Sequence, residues 1–353
     1  MAVQAPLPER FPAYPVSWYV FCASRDLQRG PLSRDLCGRR MVGFRTESGR
    51  ACILDARCSH LGADLGRGCV VGEAIQCPFH QWEYGPDGQC IRVPVAAEIP
   101  ATARQAAYPA VERHGFVFVF NGSEPTFPLP FFPGAKPEDF HPARPFGTVL
   151  DCPWYLIGAN AFDLQHFRAA HDRRLVGDPV VDGPDTFARR ASARFTVAGH
   201  SLQDRVTRLF AGDEVEMAIT DWCGNMMFAT ATFRRGRSYG MVVTEPLASS
   251  KVLVRVIVFV PRSRTLPGRV LWDPLIRSIR RLFIARFLSS DAARLEGTRY
   301  NPHGLIDYDQ DLADYLWWLT DVSRGVPPRD WPVRIAAGPH SSGATTLAEG
   351  VEP

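Results

Sequence analysis

Lysine is almost absent. Only Lys136 and Lys251 are lysines among 40 basic residues, and the arginines that make up the rest are scattered. With 37 acidic residues the formal net charge is +3, which excludes a strongly polyanion-binding chain. Long apolar runs are missing as well. The stretch Val252 to Val260 is interrupted by Arg255, and nothing approaches the ~20 apolar residues of a membrane-spanning helix. The start, MAVQAPLPERFPAYP, is Pro-rich and has no apolar signal core, so a cytoplasmic location is expected. The nine cysteines are an odd number, which argues against a closed disulfide framework. In a reducing compartment such thiols bind metals or lie buried. No G-x-G-x-x-G follows a strand and no plant-type ferredoxin cysteine run occurs, so the chain offers no NAD(P)H or flavin site of its own.

What is present reads as an ordinary folded protein. Hydrophobic residues are 46% and charged residues 22% of 353, and that length suits two domains at roughly 150 residues each. Residues 1–14 read as an arm. Short β segments follow: Ser17–Ala23, a Met41–Phe44 and Ala51–Leu54 hairpin around Ser48-Gly49, Gln76–Tyr84 before a Gly85-Pro86-Asp87-Gly88 turn, and Phe116–Phe120. A Pro-rich linker spans roughly Ser123 to Pro145. Helical spacing then runs from Trp154 to Asp172, with Pro153 placed to start it. Long β segments cover Thr186–Val197, Val215–Phe233 and Met241–Val260, and two helices close the chain at about Asp273–Arg299 and Asp309–Arg324. The fold class expected is α+β: an all-β domain over 15–125, a second domain over 126–337 with a large antiparallel sheet flanked by helices, and a flexible tail over 338–353.

Two loops in the β domain each offer one thiolate and one imidazole. They are Cys58-Ser59-His60 and Cys77-Pro78-Phe79-His80, sixteen residues apart. Zinc fingers usually open with a Cys pair and close with a His pair. Mixed Cys/His pairs instead suit a [2Fe–2S] cluster with two thiolates on one iron and two imidazoles on the other, which is Rieske ligation. The segment resembles the Rieske motif, including Leu61-Gly62 after the first His and Gln81-Trp82 after the second. Respiratory Rieske clusters carry an extra disulfide between these loops. Its positions are Ala63 and Phe79 here, so the pattern resembles the oxygenase-type Rieske domain. Cys22, Cys37, Cys52, Cys69, Cys90, Cys152 and Cys223 match no ligand position and read as small buried hydrophobes.

A second constellation lies in Asn160-Ala161-Phe162-Asp163-Leu164-Gln165-His166, followed by His171. Asp163 and His166 share a helix face. The two His residues converge on one ion if the helix ends or bends near Ala170. Two His and one carboxylate form the facial triad that leaves Fe(II) open positions for O2 and substrate. Asp163 is too close in sequence to be an easy third ligand, and is better placed to accept the other ring N–H of a ligating His. Asn160 reads equally as an active-site polar group or as a helix residue bonding locally.

The D-x2-H-x4-H pattern at this distance after the first motif resembles the catalytic domain of Rieske non-haem iron oxygenases. The resemblance runs from about residue 17 to 325, and the runs CSHLGADLGRG, IQCPFHQWEYGPDGQC and NAFDLQH resemble those of an arylamine N-oxygenating member. It implies a third iron ligand from a C-terminal helix, where Asp291 fits best and Glu296, Asp307 and Asp309 compete. It implies electrons passing from the cluster to a mononuclear Fe(II) that activates O2, in a head-to-tail homotrimer where Asp163 bridges a cluster His and an iron His of adjacent subunits. It also implies a separate reductase or ferredoxin. The expected function is a terminal oxygenase component acting on a small aromatic or alicyclic substrate, by hydroxylation, demethylation or N-oxygenation. The alternatives are a Rieske electron carrier without oxygen chemistry and a zinc-stabilised binding protein. Leu156, Phe162, Phe167, Met226, Met227 and Phe228 are candidate pocket residues or plain core. Arg277–Phe287 is basic and amphipathic. It reads as a helix packed on the sheet or, more sharply, as a membrane-surface or ferredoxin-docking helix.

Overall fold

The computed structural model describes residues 3–163, 165–166, 173–197, 214–234 and 236–328. Strand Trp18–Ala23 pairs antiparallel with Phe116–Phe120, which also pairs with Ala110–Arg113. Side chains alternate across a strand, and the chain uses both faces. Trp18, Val20, Phe118 and Phe120 enter a large core, whereas Tyr19, Phe21, Val117 and Val119 enter a second one. A four-stranded sheet of Leu32–Leu36, Arg39–Arg45, Ala51–Asp55 and Ala107–Tyr108 covers that second core with Met41 and Ile53. Its other face carries Val42, Phe44, Cys52 and Leu54 into a third core. Another four-stranded sheet, Cys69–Val71, Ala74–Gln76, Glu83–Tyr84 and Cys90–Arg92, closes over it.

The second half is built on a nine-stranded antiparallel sheet. Its main path runs Phe140–Pro142, Lys251–Pro261, Gly236–Ala248, Met226–Phe233, Glu214–Trp222, Ala188–Val197, Arg173–Leu175. Phe146–Leu150 also pairs with Lys251–Pro261, and Val180–Asp185 with Ala188–Val197. Two segments expected as single β runs are hairpins. Val215–Phe233 is broken at Cys223 and Gly224, which take φ of 54° and 75°. Met241–Val260 belongs to strands Gly236–Ala248 and Lys251–Pro261. The turn residues are Gly224-Asn225 in the first hairpin and Ser249-Ser250, shortly after Pro246, in the second, and both are ordinary turn signals.

The helices are α1 (Tyr155–Ala159), α2 (Asp273–Leu295, entered through a π-helical turn at Gly268–Trp272) and α3 (Gln310–Val322). The continuous helix expected over Trp154–Asp172 is not there. α1 ends at Ala159, and helical geometry resumes at Gln165 and His166. The Asp163 carboxylate accepts the His166 backbone N–H at 3.0 Å, so it caps a new start rather than extending the old one. α3 buries Ala313, Tyr315, Leu316, Trp318 and Leu319 in the large core, where Trp18 and Phe120 also lie. The N-terminal arm is pinned to this region: Trp154 and Trp317 donate their indole N–H to the Pro12 and Gln4 carbonyls, each at 3.0 Å. The tail expected over 338–353 lies outside the described residues. The architecture is α+β, as expected.

Candidate metal centres

The two Cys/His loops share one backbone design. Gly62 N–H donates to the Cys58 carbonyl at 2.8 Å, and Gln81 N–H donates to the Cys77 carbonyl at 3.1 Å. Cys58 N–H reaches Ala63 O at 2.9 Å, and Cys77 N–H reaches Trp82 O at 2.8 Å. Each turn needs a left-handed residue at its fifth position, and Gly62 and Gln81 supply it with φ of 75° and 59°. Glycine takes that conformation freely, whereas glutamine bears its strain. The loops are therefore near-copies facing each other.

This geometry sorts the four side chains. Cys58 and Cys77 are buried on the third core, 4% and 2% exposed, while His60 and His80 are exposed. The imidazole centroids are 4.7 Å apart, and His60 stacks flat on Trp82 at 4.5 Å and 2°. The Tyr84 hydroxyl lies 3.2 Å from Cys58 Sγ and 2.9 Å from Ser59 Oγ. Burial pushes the Cys77 thiol up, and the adjacent Cys58 adds to it. Two buried sulfurs and two exposed imidazoles in facing loops are the donor set a [2Fe–2S] cluster asks for, two protein donors per iron. Of the seven other cysteines, six are buried as expected. Cys69 is a correction: it is exposed on an edge strand, its thiol near Gln76 Oε1 at 3.7 Å.

The second centre joins distant parts of the chain. His166, just past the Asp163 cap, has Nε2 3.5 Å from Asp291 Oδ1 on α2. The two side chains are 11% and 13% exposed. Two donors about 2.1 Å from one ion, at right angles or somewhat wider, stand about 3.0–3.5 Å apart, so this pair fits a shared ion. His171 lies outside the described residues. Of the competing acids, Glu296 accepts the Asp151 N–H at 3.1 Å and Asp309 accepts the Ile306 N–H at 3.0 Å. Asp307 is exposed. None of these three lines the cavity that Asp291 lines.

That cavity is about 570 Å³, and its wall includes His166, Asp291 and Asn160. Its other walls are the open face of the large sheet and α2. Met217, Ile219, Met227, Ala229, Val242, Val254 and Val256 come from the sheet, and Phe283, Phe287 and Leu288 from the helix. Of the pocket residues read from sequence, Met227 is the only one among the described residues that lines it. Met226 and Phe228 point to the opposite face, into the core with Phe162; Phe167 is not among the described residues. Strand parity decides this. The α2 residues were missed because their helical spacing serves core and cavity alike.

Residues 17–108 match the family model described as Rieske [2Fe-2S] domain. The chain is similar to aminopyrrolnitrin oxygenase of Pseudomonas fluorescens, 38% identical over 44% of this chain and 45% of that protein. It is similar to cholesterol 7-desaturase of Drosophila melanogaster, 34% identical over 47% of this chain and 40% of that protein. The chain thus spans less than half the length of the curated relatives it matches. Among solved structures, dicamba monooxygenase bound to 3,6-dichlorosalicylic acid superposes with a TM-score of 0.61 at 19% identity, covering 88% of this chain and 98% of that one. Residues 17–108 are a Rieske [2Fe–2S] domain, carried here on the fold of the Rieske oxygenase α subunits.

Proposed function

We propose that the chain is the terminal oxygenase component of an O2-dependent system, oxidising a small aromatic or alicyclic substrate. The observation that carries this reading is the meeting of His166 and Asp291 at the wall of a largely apolar cavity. An electron carrier has no use for such a chamber. The residues suited to the cluster are Cys58, His60, Cys77 and His80, and those suited to a mononuclear Fe(II) are His166, His171 and Asp291. When bound, that iron supplies the activation of O2 beside the substrate. The apolar walls strip water from the substrate and hold it by shape. Asn160, with Thr148, Ser238 and Ser289, offers polar groups in the wall that could orient it. The exposed imidazoles of His60 and His80 give electrons a short way in from a separate reductase or ferredoxin. Residues 15–125 serve as the electron-accepting unit and 126–337 as the catalytic one, in a cytoplasmic homotrimer where Asp163 links the centres of adjacent subunits. The relatives' names, an aminopyrrolnitrin oxygenase and a cholesterol 7-desaturase, agree with apolar ring substrates.

The deciding experiment is an iron and acid-labile sulfide count on protein purified without oxygen, with an EPR spectrum after dithionite reduction. About three irons and two sulfides per chain with a Rieske-type signal are expected. About two irons and two sulfides, unchanged after Fe(II) is added back, would transfer the assignment to an electron carrier.

A further inference from the structure

α2 has two unlike faces. Phe283, Phe287 and Leu288 close the cavity from one side. On the other side Leu271, Leu275, Ile279 and Leu282 are 67%, 50%, 58% and 69% exposed, and Trp272 beside them is 60% exposed. Their spacing of four, four and three puts the aliphatic residues in one row. Contiguous exposed apolar surface of this kind marks an interaction site.

The charge around the row has one sign. From Arg262 to Ser290 there are seven arginines and one acid, Asp273. Asp273 is 1% exposed and accepts Ser263 N–H at 3.0 Å, so it does not face outward. Arg277 and Arg281 lean on the carbonyls of Pro142 and Arg144 at 3.2 and 2.8 Å, and Arg280 on that of Arg237. These contacts hold the guanidiniums along the flank of the row and bring Arg144 and Arg237 beside it.

We propose that this face, the π-helical turn and first half of α2, docks on an anionic phospholipid surface. Guanidiniums would meet the phosphates while the apolar row enters the boundary between headgroups and acyl chains. A two-fold contact with a second copy is disfavoured, because it would set arginines against arginines, and a contact within the proposed ring is separated by whether the oligomer dissociates. An electron donor in the proposed system would reach His60 and His80, which lie on loops of the N-terminal half. Resting on the proposed oxygenase reading, the arrangement puts the cavity wall at the membrane, so an apolar substrate dissolved in lipid need not cross water to enter.

The test uses the full chain loaded with cluster and Fe(II), floated with phosphatidylcholine vesicles with or without phosphatidylglycerol. Expected are binding that needs the anionic lipid and weakens with salt, and fluorescence quenching by brominated acyl chains that is lost in Trp272→Phe. The combined variant Leu275→Glu, Ile279→Glu, Leu282→Glu should lose about tenfold or more in vesicle affinity. Its visible cluster spectrum and thermal midpoint should be unchanged. The proposal is overturned if the native chain does not bind vesicles, or if the triple variant binds as well as the native chain. It is equally overturned if that variant dissociates the oligomer, or loses reduction by an acidic ferredoxin, with vesicle binding intact. Vesicle binding is read without turnover, so a failed oxygenase assignment would show in the iron count instead.

Discussion

Tyr84 ties the two cluster loops together through one hydroxyl. It is fully buried and touches Cys58 Sγ and Ser59 Oγ. If Cys58 ligates the proposed cluster, its sulfur is a thiolate that can only accept, and the phenol is then the donor. Hydrogen bonds to cluster sulfur favour the reduced state. Tyr84→Phe should therefore lower the cluster's reduction potential with the iron and sulfide content unchanged, read by redox titration of the EPR signal. Asp163 poses a different problem, since its carboxylate already caps His166. Asp163→Ala should cost about 1 kcal/mol of stability through the lost cap. Asp163→Asn keeps a capping oxygen and removes the charge. If Asp163 couples the centres, the Asn variant should melt like the native chain yet lose coupled substrate oxidation. An Asn variant of full activity would reduce Asp163 to a cap.

The hairpin Glu214–Trp222 to Met226–Phe233 is stitched to α3 by a buried acid. Asp221 Oδ2 accepts Tyr315 O–H and Gly224 N–H, each at 2.9 Å, while Oδ1 has no hydrogen-bond partner among the described residues. Burial pushes this carboxyl up from 3.8 to about 7, against the pull of hydrogen bonds from Tyr315 and from the backbone at Gly224 and Trp222. The folded chain thus holds a proton that the unfolded chain releases near pH 4. The associated stability is present below pH 4 and is lost as pH rises to about 7. Asp221→Asn keeps the acceptor and does not ionise. It should be more stable than the native chain at pH 8, by about 4 kcal/mol, and the gap should close toward pH 4. Thermal midpoints across that range would test this. Turn chemistry also explains what was hard to read locally. Cys37 and His114 adopt φ of 51° and 54° ahead of a glycine. The usual residue there is Asn or Asp, so neither turn announces itself.

The N-terminal arm is packed into the large core. Phe11 is 8% exposed and stacks on Tyr155 at 4.0 Å and 14°. Its neighbours Trp154 and Tyr300 pack edge-on. Tyr300 O–H reaches Pro6 O at 2.9 Å, so the arm clamps the segment between α2 and α3. Phe11→Ala should cost about 3 kcal/mol, measured by denaturant unfolding. At the junction of the sheets, Asn225 Nδ2 donates to Trp18 O at 3.0 Å and Arg34 pairs with Glu245. The three-stranded sheet thus shares the large core with the second half of the chain.

The four residues proposed as cluster ligands could be picked out locally, because each Cys/His pair sits within one short loop. The same holds for Asp163 and His166, which a single turn brings together. Strand positions such as Phe116–Phe120 followed from period-two alternation. Asp291 needed the family resemblance, since nothing local links α2 to His166. The cavity was not legible. Whether Met227 or its neighbours Met226 and Phe228 face it depends on which side of the sheet α2 covers, and alternation is blind to that choice. The exposed face of α2 is the same case. A helix row of Leu and Ile reads as core until the fold leaves it uncovered, because hydrophobic spacing records which residues share a face and not what that face meets.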